Sequence, residues 1–202
     1  MKPADHLDIV IKGVLSPDEV AELNDLADRK FETYPYGGAE QGREMSLIPW
    51  GDPVKKLIDH PRVLPYLVEL LGPRLRLDHD YGMFMRPGDR HGGLHGGHGG
   101  SHWYRFRNGA MENGLTVVTY FLSDNPAGVG GFACVPGSHK RSGKIDEYVA
   151  DRVADHPDQC HLEAPAGSVA VFNGSVWHSS YHNRSGRRRR TLQSRLSRPP
   201  TV

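Results

Sequence analysis

Apolar residues recur at helical spacing in the first third of the chain. The run Ser16-Pro17-Asp18-Glu19 is typical of a helix start, with serine as the N-cap, proline at the first helical position and glutamate three residues past the cap. The apolar positions that follow repeat every three or four residues and predict a helix ending near Phe31: Val20, Leu23, Leu26 and Ala27. Two more helices are predicted over residues 53–59 and 61–71, the second closed by Gly72.

Period-two alternation replaces this pattern from Leu75 onwards. It predicts one strand face made of Leu75, Leu77, His79, Tyr81, Met83 and Met85. Further strands are predicted at residues 115–122, 132–135, 168–172 and 191–196, with an outer strand at 7–11. Residues 34–52 read as a long loop that could cover an active site, and 145–154 as a helix on an inserted excursion. Helices followed by strands predict an α+β domain, a β-sandwich or barrel with helices packed on one sheet.

Length and charge set the broad class. The 202 residues fit a single domain, 1–202, with a mainly helical part at 1–73 and a β core at 74–198. The net charge of +1 and the absence of a basic and aromatic stripe argue against binding to double-stranded nucleic acid or to a membrane surface. Cys134 and Cys160 lie far apart without a C-x-x-C pairing, and no signal segment or long apolar run is present. We therefore expect a soluble cytoplasmic protein.

Histidines are concentrated at residues 90–102, which read R-H-G-G-L-H-G-G-H-G-G-S-H. Another histidine, His178, lies in a later predicted strand, and Arg189 follows it by eleven residues. A histidine on an early strand, another on a late strand and an arginine one strand further on suggest a mononuclear iron site in a β-barrel with a 2-oxo acid as co-substrate. Such sites usually add a carboxylate two residues after the first histidine, but none stands there after any histidine of this cluster. The alternative without a function is a mobile Gly/His surface loop that binds divalent metal ions non-specifically.

Two later motifs resemble a known family. Residues 130–140 read G-G-F-A-C-V-P-G-S-H-K, and residues 166–189 contain A-G-S-V-A-V-F, W-H-S-S, N-R-S and then an arginine. Together they are similar to the phytanoyl-CoA dioxygenase family of non-heme Fe(II)/2-oxoglutarate oxygenases. The resemblance covers roughly residues 75–196, with a weaker likeness at 57–72. It implies a double-stranded β-helix, or jelly-roll, core and Fe(II), 2-oxoglutarate and O2 as cofactors.

The resemblance also implies residue roles. His178 matches the distal iron histidine, Arg189 the arginine that binds the distal carboxylate of 2-oxoglutarate, and Ser180 a hydroxyl donor to the same carboxylate. Tyr120 matches an aromatic residue that lines the 2-oxoglutarate pocket. The preferred proximal iron ligand is His95, and the other histidines of the cluster remain open as alternatives: His91, His98 and His102. His139, in P-G-S-H, is expected to be structural.

The departure from the family pattern is Gly97, which stands where H-x-D would place the acid. Among related enzymes this replacement resembles the halogenases, in which chloride occupies the vacated position, a ferryl abstracts hydrogen from an unactivated C–H bond and chlorine is transferred to the carbon. A glycine leaves room for an anion beside metal and backbone. Two alternatives stay open: a hydroxylase whose carboxylate comes from elsewhere (Asp78, Asp80 or Asp89), and an inactive barrel with a binding role.

Arginines flank both halves of the predicted site. Arg86 and Arg105 lie near the histidine cluster and Arg184 near Arg189, with Arg90, Arg107, Arg187 and Arg188 close by in sequence. If they converge, the substrate is a small phosphorylated or carboxylated molecule, with nucleotides among the candidates. An acyl group tethered to a carrier protein is the alternative, and the bland alternative is that these arginines point to solvent.

Overall fold

A computed structural model describes residues 8–33, 42–89, 93–96, 104–107, 110–141 and 144–199. The helices are α1 (Pro17–Thr33), α2 (Asp52–Lys55) and α3 (Leu64–Leu71), with short 3-10 turns at Ile48–Trp50, Ser138–Lys140 and Ile145–Glu147. The strands are β1 (Asp8–Ile11), β2 (Gly42–Met45), β3 (Arg76–Met85), β4 (Tyr104–Arg107), β5 (Ala110–Asn113), β6 (Thr116–Phe121), β7 (Phe132–Val135), β8 (Cys160–His161), β9 (Val169–Asn173), β10 (Trp177–Ser180) and β11 (Arg189–Ser197).

Two antiparallel sheets form the core of the protein. The large sheet has the order β1-β9-β6-β11-β3-β2, the small sheet has the order β10-β7-β8, and β4 and β5 form a separate ribbon. The sheets face each other through a buried cluster that joins Val117 and Phe172 of the large sheet to Phe132 and Cys134 of the small one. This arrangement confirms the predicted jelly-roll fold.

The helices cover the other face of the large sheet. Leu23 and Ala27 of α1 and Leu67 of α3 belong to one buried cluster with Val118 and Leu192 of the sheet. Because the inner and outer faces of the sheet are both covered, strands such as β6 and β9 are buried at every position. None of the helices in the described ranges is long and apolar enough to cross a membrane.

Helix ends follow the sequence closely. The Ser16 hydroxyl accepts the Glu19 N–H at 3.2 Å, while the Glu19 carboxylate accepts the Ser16 N–H at 2.8 Å. These two bonds form the predicted capping box and lower the pKa of Glu19. Gly72, at φ +85°, ends α3 by donating its N–H to the Val68 carbonyl. Both predicted termini are confirmed.

Three local predictions are wrong. Residues 42–50 form β2 and a 3-10 turn rather than a continuous loop, and only residues 145–147 of the predicted 145–154 helix are helical. In β3 the pairing with β11 skips Asp78, since His79 opposes Arg195 and Leu77 opposes Leu196. This bulge shifts the alternation by one residue, so Leu77 packs on the helical side while Tyr81 lies on the other face.

Candidate active site

His95 and His178 are direct cross-strand partners at the edge of the small sheet. The His95 N–H donates to the His178 carbonyl at 2.9 Å, and the His178 N–H donates to the His95 carbonyl at 2.7 Å. Opposed residues of an antiparallel pair project to the same face, and the centroids of the two imidazole rings are 4.2 Å apart. His178 is buried between Phe132 and Phe172, whereas His95 is exposed at the rim. The structure therefore brings together two of the predicted metal ligands.

Each of these imidazoles is oriented by a carbonyl two residues before it in the chain. Nδ1 of His95 lies 3.1 Å from the Gly93 oxygen, and Nδ1 of His178 lies 2.6 Å from the Val176 oxygen. A carbonyl oxygen only accepts hydrogen bonds, so Nδ1 carries the proton and the Nε2 lone pair is the one suited to a metal. Histidine ligands are commonly held by such a second hydrogen bond.

Close backbone approach fixes the separation of the two histidine segments. Gly96 has φ +123°, and a Cβ added there would lie 2.3 Å from the Val176 carbonyl oxygen. A Cβ at Gly93 would lie 2.9 Å from the Arg152 carbonyl oxygen, the same oxygen that accepts the Leu94 N–H. The glycines on either side of His95 are thus required by packing, which is a role distinct from the one expected of Gly97.

The P-G-S-H motif supports β10 from the outer side of the small sheet. The Ser138 hydroxyl accepts the N–H of Trp177 at 2.8 Å, and Gly137, at φ +77°, begins the turn that places this serine. His139 is 1% exposed and lies in the same turn. The motif therefore positions the residue that precedes His178, in agreement with the expectation that His139 is structural.

Arg189 is a guanidinium buried in the space between the sheets. It is 1% exposed, its Nη1 donates to the Ser180 hydroxyl at 3.1 Å and approaches the Met85 sulfur at 3.4 Å. Among the described residues its Nε has no hydrogen-bond partner, and none of their ion pairs involves Arg189. Burial lowers the pKa of Arg189 to about 10, so the side chain stays charged at neutral pH. A buried, uncompensated cation of this kind suits an anionic ligand.

Ser180 connects the arginine to the histidines. It follows His178 by two residues on β10 and therefore lies on the same face of that strand. The Arg189 side chain reaches it from β11, across the space between the sheets. Two threonine hydroxyls that sequence reasoning missed lie on the Arg189 face of the large sheet, at Thr191 and Thr119, buried and without a partner among the described residues. Alternation from Arg189 along β11 would have indicated Thr191.

The structure does not bring Tyr120 to this site. Tyr120 is opposite Leu192 on β11, so it points to the helical face of the sheet, away from Arg189. Its hydroxyl donates to the Leu57 carbonyl at 2.6 Å, and burial raises the pKa of this phenol. This position disagrees with the prediction that Tyr120 lines the co-substrate pocket. Leu192, its partner on β11, is an odd number of residues from Arg189, so Tyr120 and Arg189 project to opposite faces of the sheet.

The carboxylates considered as a third metal ligand are engaged elsewhere. Asp78 contacts His79 at 2.7 Å, Asp80 accepts the Leu47 N–H at 2.8 Å, and Asp89 accepts the Arg86 N–H at 2.7 Å. In the part of the chain that the structure describes, no group of three or more His, Cys, Asp or Glu side chains could share one metal ion. The histidine pair thus has no acidic companion there.

The predicted substrate arginines are distributed unevenly. Arg184 lines a polar cleft of about 250 Å³ that also includes Ser180, whereas Arg86 is exposed beside Asp89. The other predicted positions fall outside the described residues or have undescribed side chains: His91, Gly97, His98, His102 and Arg105. Apart from Ser180 and Arg184, the cleft is lined by Arg152, Val153, Ala154, Asp155, Gln159, Ser179, Tyr181 and His182.

The residues present fit a mononuclear metal with a 2-oxo acid beside it. The two histidines offer Nε2 as metal ligands, and Arg189 donates from Nη1 to Ser180 on the strand of His178 while its Nε has no partner among the described residues. His178 and Arg189 are buried between the two sheets, and His95 lies at the exposed rim of the same space. This set of donors is suited to Fe(II) and to an anionic co-substrate.

Solved structures share this fold at low sequence identity. HygX from Streptomyces hygroscopicus with nickel and 2-oxoglutarate bound superposes with a TM-score of 0.84 at 20% identity, covering 96% of this chain and 84% of that chain. The non-heme alpha-ketoglutarate-dependent carbocyclase SnoK from nogalamycin biosynthesis gives 0.75 at 19%, covering 96% and 81%. The epimerase SnoN from the same biosynthesis gives 0.72 at 18%, covering 98% and 84%.

Sequence comparison identifies the family. No curated protein matches the chain in sequence. The family model for phytanoyl-CoA dioxygenase matches residues 8–191, which is most of the chain and includes both histidines and Arg189. The chain therefore belongs to the phytanoyl-CoA dioxygenase family of Fe(II)- and 2-oxoglutarate-dependent oxygenases.

Proposed function

We propose that this protein is an Fe(II)/2-oxoglutarate-dependent halogenase that chlorinates an unactivated C–H bond of a small anionic metabolite. The observation that carries this proposal is the pairing of His95 with His178 in a site that has no acidic third ligand among the described residues. When bound, iron with 2-oxoglutarate supplies the oxidation of a C–H bond by O2.

His95 and His178 would hold the metal through Nε2. Their Nδ1–H groups are committed to backbone carbonyls, so both rings are neutral donors of fixed orientation. Because two imidazoles carry no charge, the anions at the metal would be 2-oxoglutarate and one more ligand. With two neutral histidines as ligands, chloride can supply the negative charge that a carboxylate ligand would otherwise add at the metal.

Arg189 would bind the distal carboxylate of 2-oxoglutarate. A planar guanidinium can form paired hydrogen bonds to a carboxylate, and this one remains charged because its pKa is about 10. Ser180 already accepts a hydrogen bond from Arg189, so its own hydroxyl proton is available to a carboxylate in the same place. The hydroxyls of Thr119 and Thr191 are further donors on the inner face.

Gly97 would provide the space for the halide. In the H-x-D arrangement of hydroxylases the side chain at this position is a metal ligand, and glycine has no atom to put there. The close approach of the Val176 carbonyl accounts for Gly96, whereas Gly97 stands at the ligand position itself. Chloride at that position supports transfer of chlorine rather than hydroxyl to the substrate.

The polar cleft beside Ser180 is the substrate site in this proposal. Arg152 is paired with Asp146 and its carbonyl holds Leu94, next to His95, so one wall of the cleft adjoins the proximal histidine. Arg184 is an exposed residue of the same cleft, and its charge supports an anionic substrate such as a nucleotide. The structure of HygX with hygromycin B bound, at a TM-score of 0.77, supports small molecules as ligands of this fold.

A hydroxylase is the second candidate function. The family contains oxygenases that use a carboxylate ligand, and the related folds of SnoK and SnoN are described as a carbocyclase and an epimerase. An acid from outside the described residues would favour hydroxylation. The two functions make opposite predictions about chloride.

The deciding experiment compares the wild type with Gly97→Asp and the matched variant Gly97→Ala. Fe(II) and 2-oxoglutarate are added without oxygen, and the visible charge-transfer band is recorded with and without chloride. Oxygen is then admitted with a panel of phosphorylated metabolites, to which hygromycin B is added because it binds the structurally similar HygX. The products are analysed by mass spectrometry in chloride and in bromide.

We expect chloride to perturb the band of the wild type and of Gly97→Ala, but not of Gly97→Asp. The wild type should give products that carry chlorine or bromine according to the salt. Hydroxylated products with a band indifferent to chloride would establish the hydroxylase instead, and no band at all would indicate an inactive barrel.

A further inference from the structure

The small sheet places four chemically reactive side chains in one cross-strand row. His95 opposes His178, His178 opposes Cys134, and Cys134 opposes Cys160. Directly opposed residues of antiparallel strands project to the same face. Cys134 packs with Phe172 of the large sheet, so the row faces the space between the sheets. The two cysteines, 26 positions apart in sequence, are therefore neighbours beside a histidine of the site.

The ladder geometry suits a bond between the two sulfurs. The Leu162 N–H donates to the Phe132 carbonyl at 3.0 Å, so residues 132 and 162 form a hydrogen-bonded pair. Two residues further along, Cys134 and Cys160 form the next pair of the same type. Such pairs have Cα atoms about 5.5 Å apart. Disulfides span Cα separations of about 4.4–6.8 Å, so the backbone spacing of this pair falls within their range. Their Cβ atoms lie about 3.5–4.5 Å apart, against about 4.5–5.5 Å for directly opposed residues, so closure requires the two-residue strand β8 to shift toward β7 by about 1 Å.

The two thiols differ in access to solvent. Cys160 is exposed on the edge strand β8, whereas Cys134 is buried, and neither is in a disulfide. Burial raises the pKa of Tyr181 and a hydrogen bond with Gln159 lowers it, while the charges of Asp155, Cys160 and Cys134 add to the increase. In such an arrangement the exposed thiol is oxidised first, and the buried thiol beside it can then form a disulfide with it.

We propose that Cys134 and Cys160 are a reversible redox pair that closes to a disulfide when peroxide oxidises Cys160. In the first step the Cys160 thiol attacks hydrogen peroxide, the O–O bond breaks, and the sulfenic acid and one water form. In the second step the Cys134 sulfur displaces hydroxide from that sulfenic acid, the S–S bond forms, and a second water leaves. The two thiols lose two electrons in total, and peroxide takes them up.

The position of the pair gives the reaction a consequence. A sulfenic acid without a partner thiol goes on to sulfinic and sulfonic acids, which are not reduced by thiols. Closure with Cys134 diverts Cys160 into a state that a dithiol can reverse. It also ties β8 to the strand that adjoins His178. The inference rests on the strand register alone and holds whether or not the proposed function is correct.

The test uses the full-length, metal-free protein, so its outcome is independent of the iron chemistry. Hydrogen peroxide is added from sub-stoichiometric to several-fold excess, free thiols are blocked with iodoacetamide, and the intact mass and non-reduced peptides are measured. We expect one equivalent of peroxide to consume both thiols, with a mass decrease of two hydrogens and a peptide pair joining Cys134 to Cys160. Dithiothreitol should restore both thiols.

Two variants make the outcome specific. In Cys134→Ser, Cys160 should take up two oxygens in excess peroxide, and dithiothreitol should not reverse the gain. In Cys160→Ser, which changes an exposed residue, Cys134 should be oxidised at least tenfold more slowly than in the wild type. A wild type that forms only intermolecular dimers through Cys160, or that keeps Cys134 open to alkylation after Cys160 is oxidised, would overturn the proposal.

Discussion

His95 and His178 exchange both backbone hydrogen bonds, at 2.9 Å and 2.7 Å, so the two imidazoles are spaced by the β-ladder itself. The distance between the ring centroids, 4.2 Å, therefore depends on how closely the segment of His95 approaches β10. Residues that position β10, or that set the spacing between β10 and the His95 segment, therefore affect the positions of both imidazoles. For this reason, residues without any donor for a metal, such as Gly96 and Ser138, should influence metal binding.

Replacing Arg189 with methionine should stabilise the protein without co-substrate and abolish 2-oxoglutarate binding. The guanidinium is buried without a carboxylate partner among the described residues, and burial depresses its pKa, which is the mark of an unfavourable environment for charge. Replacing buried ionic groups by apolar side chains of similar volume is often neutral or stabilising by about 1–4 kcal/mol. Urea denaturation with and without 2-oxoglutarate measures both effects.

Stabilisation by 2-oxoglutarate distinguishes the role of Arg189 from that of its neighbour Arg188. A ligand at one hundred times its Kd raises the free energy of unfolding by about 2.7 kcal/mol, and Arg189→Met should lose that increase. The exposed Arg188→Met variant should keep it. Equal losses in the two variants would mean that the co-substrate responds to general positive charge rather than to Arg189.

Features set by local chemistry were predictable from the sequence, and those set by register were not. Ser16 and Gly72 were identified as helix ends because their bonds involve residues within four positions. Asp78 could not be identified as a bulge, since only the pairing with β11 reveals the extra residue. The meeting of Arg189 with Ser180 was expected from the resemblance alone, because neither spacing nor composition says which strands of two sheets face each other.

The position of Tyr120 shows the same limit and provides a test. Tyr120→Phe removes the hydroxyl that donates to Leu57, leaving a buried carbonyl without its donor. We expect a loss of about 1–3 kcal/mol in the free energy of unfolding. The Kd for 2-oxoglutarate should not change, because the side chain is on the helical face. The exposed Tyr66→Phe variant is the control for stability, and a weaker Kd in Tyr120→Phe would return this residue to the pocket.

Gly96→Ala should weaken metal binding although it removes no ligand. The added Cβ would lie 2.3 Å from the Val176 carbonyl oxygen, the neighbour that orients His178, and φ +123° is unfavourable for alanine. Overpacking of this kind destabilises by about 1–3 kcal/mol. Calorimetric titration with Ni(II) and a urea melt should both show the change. Gly186→Ala, where no heavy atom lies within 4 Å of the added carbon, is the matched control.

Ser138→Ala should lower both stability and metal affinity, because it leaves the buried N–H of Trp177 without an acceptor. Losing such an acceptor costs about 1–3 kcal/mol. Ser175 is an equally buried serine on the same approach to β10, but its hydroxyl has no partner among the described residues, so Ser175→Ala should have little effect. Urea melts and Ni(II) titrations of the two variants form a matched pair. If both lose metal affinity equally, small changes in packing near β10 would explain the result, and the specific hydrogen bond from Trp177 to the P-G-S-H turn would not be what positions His178.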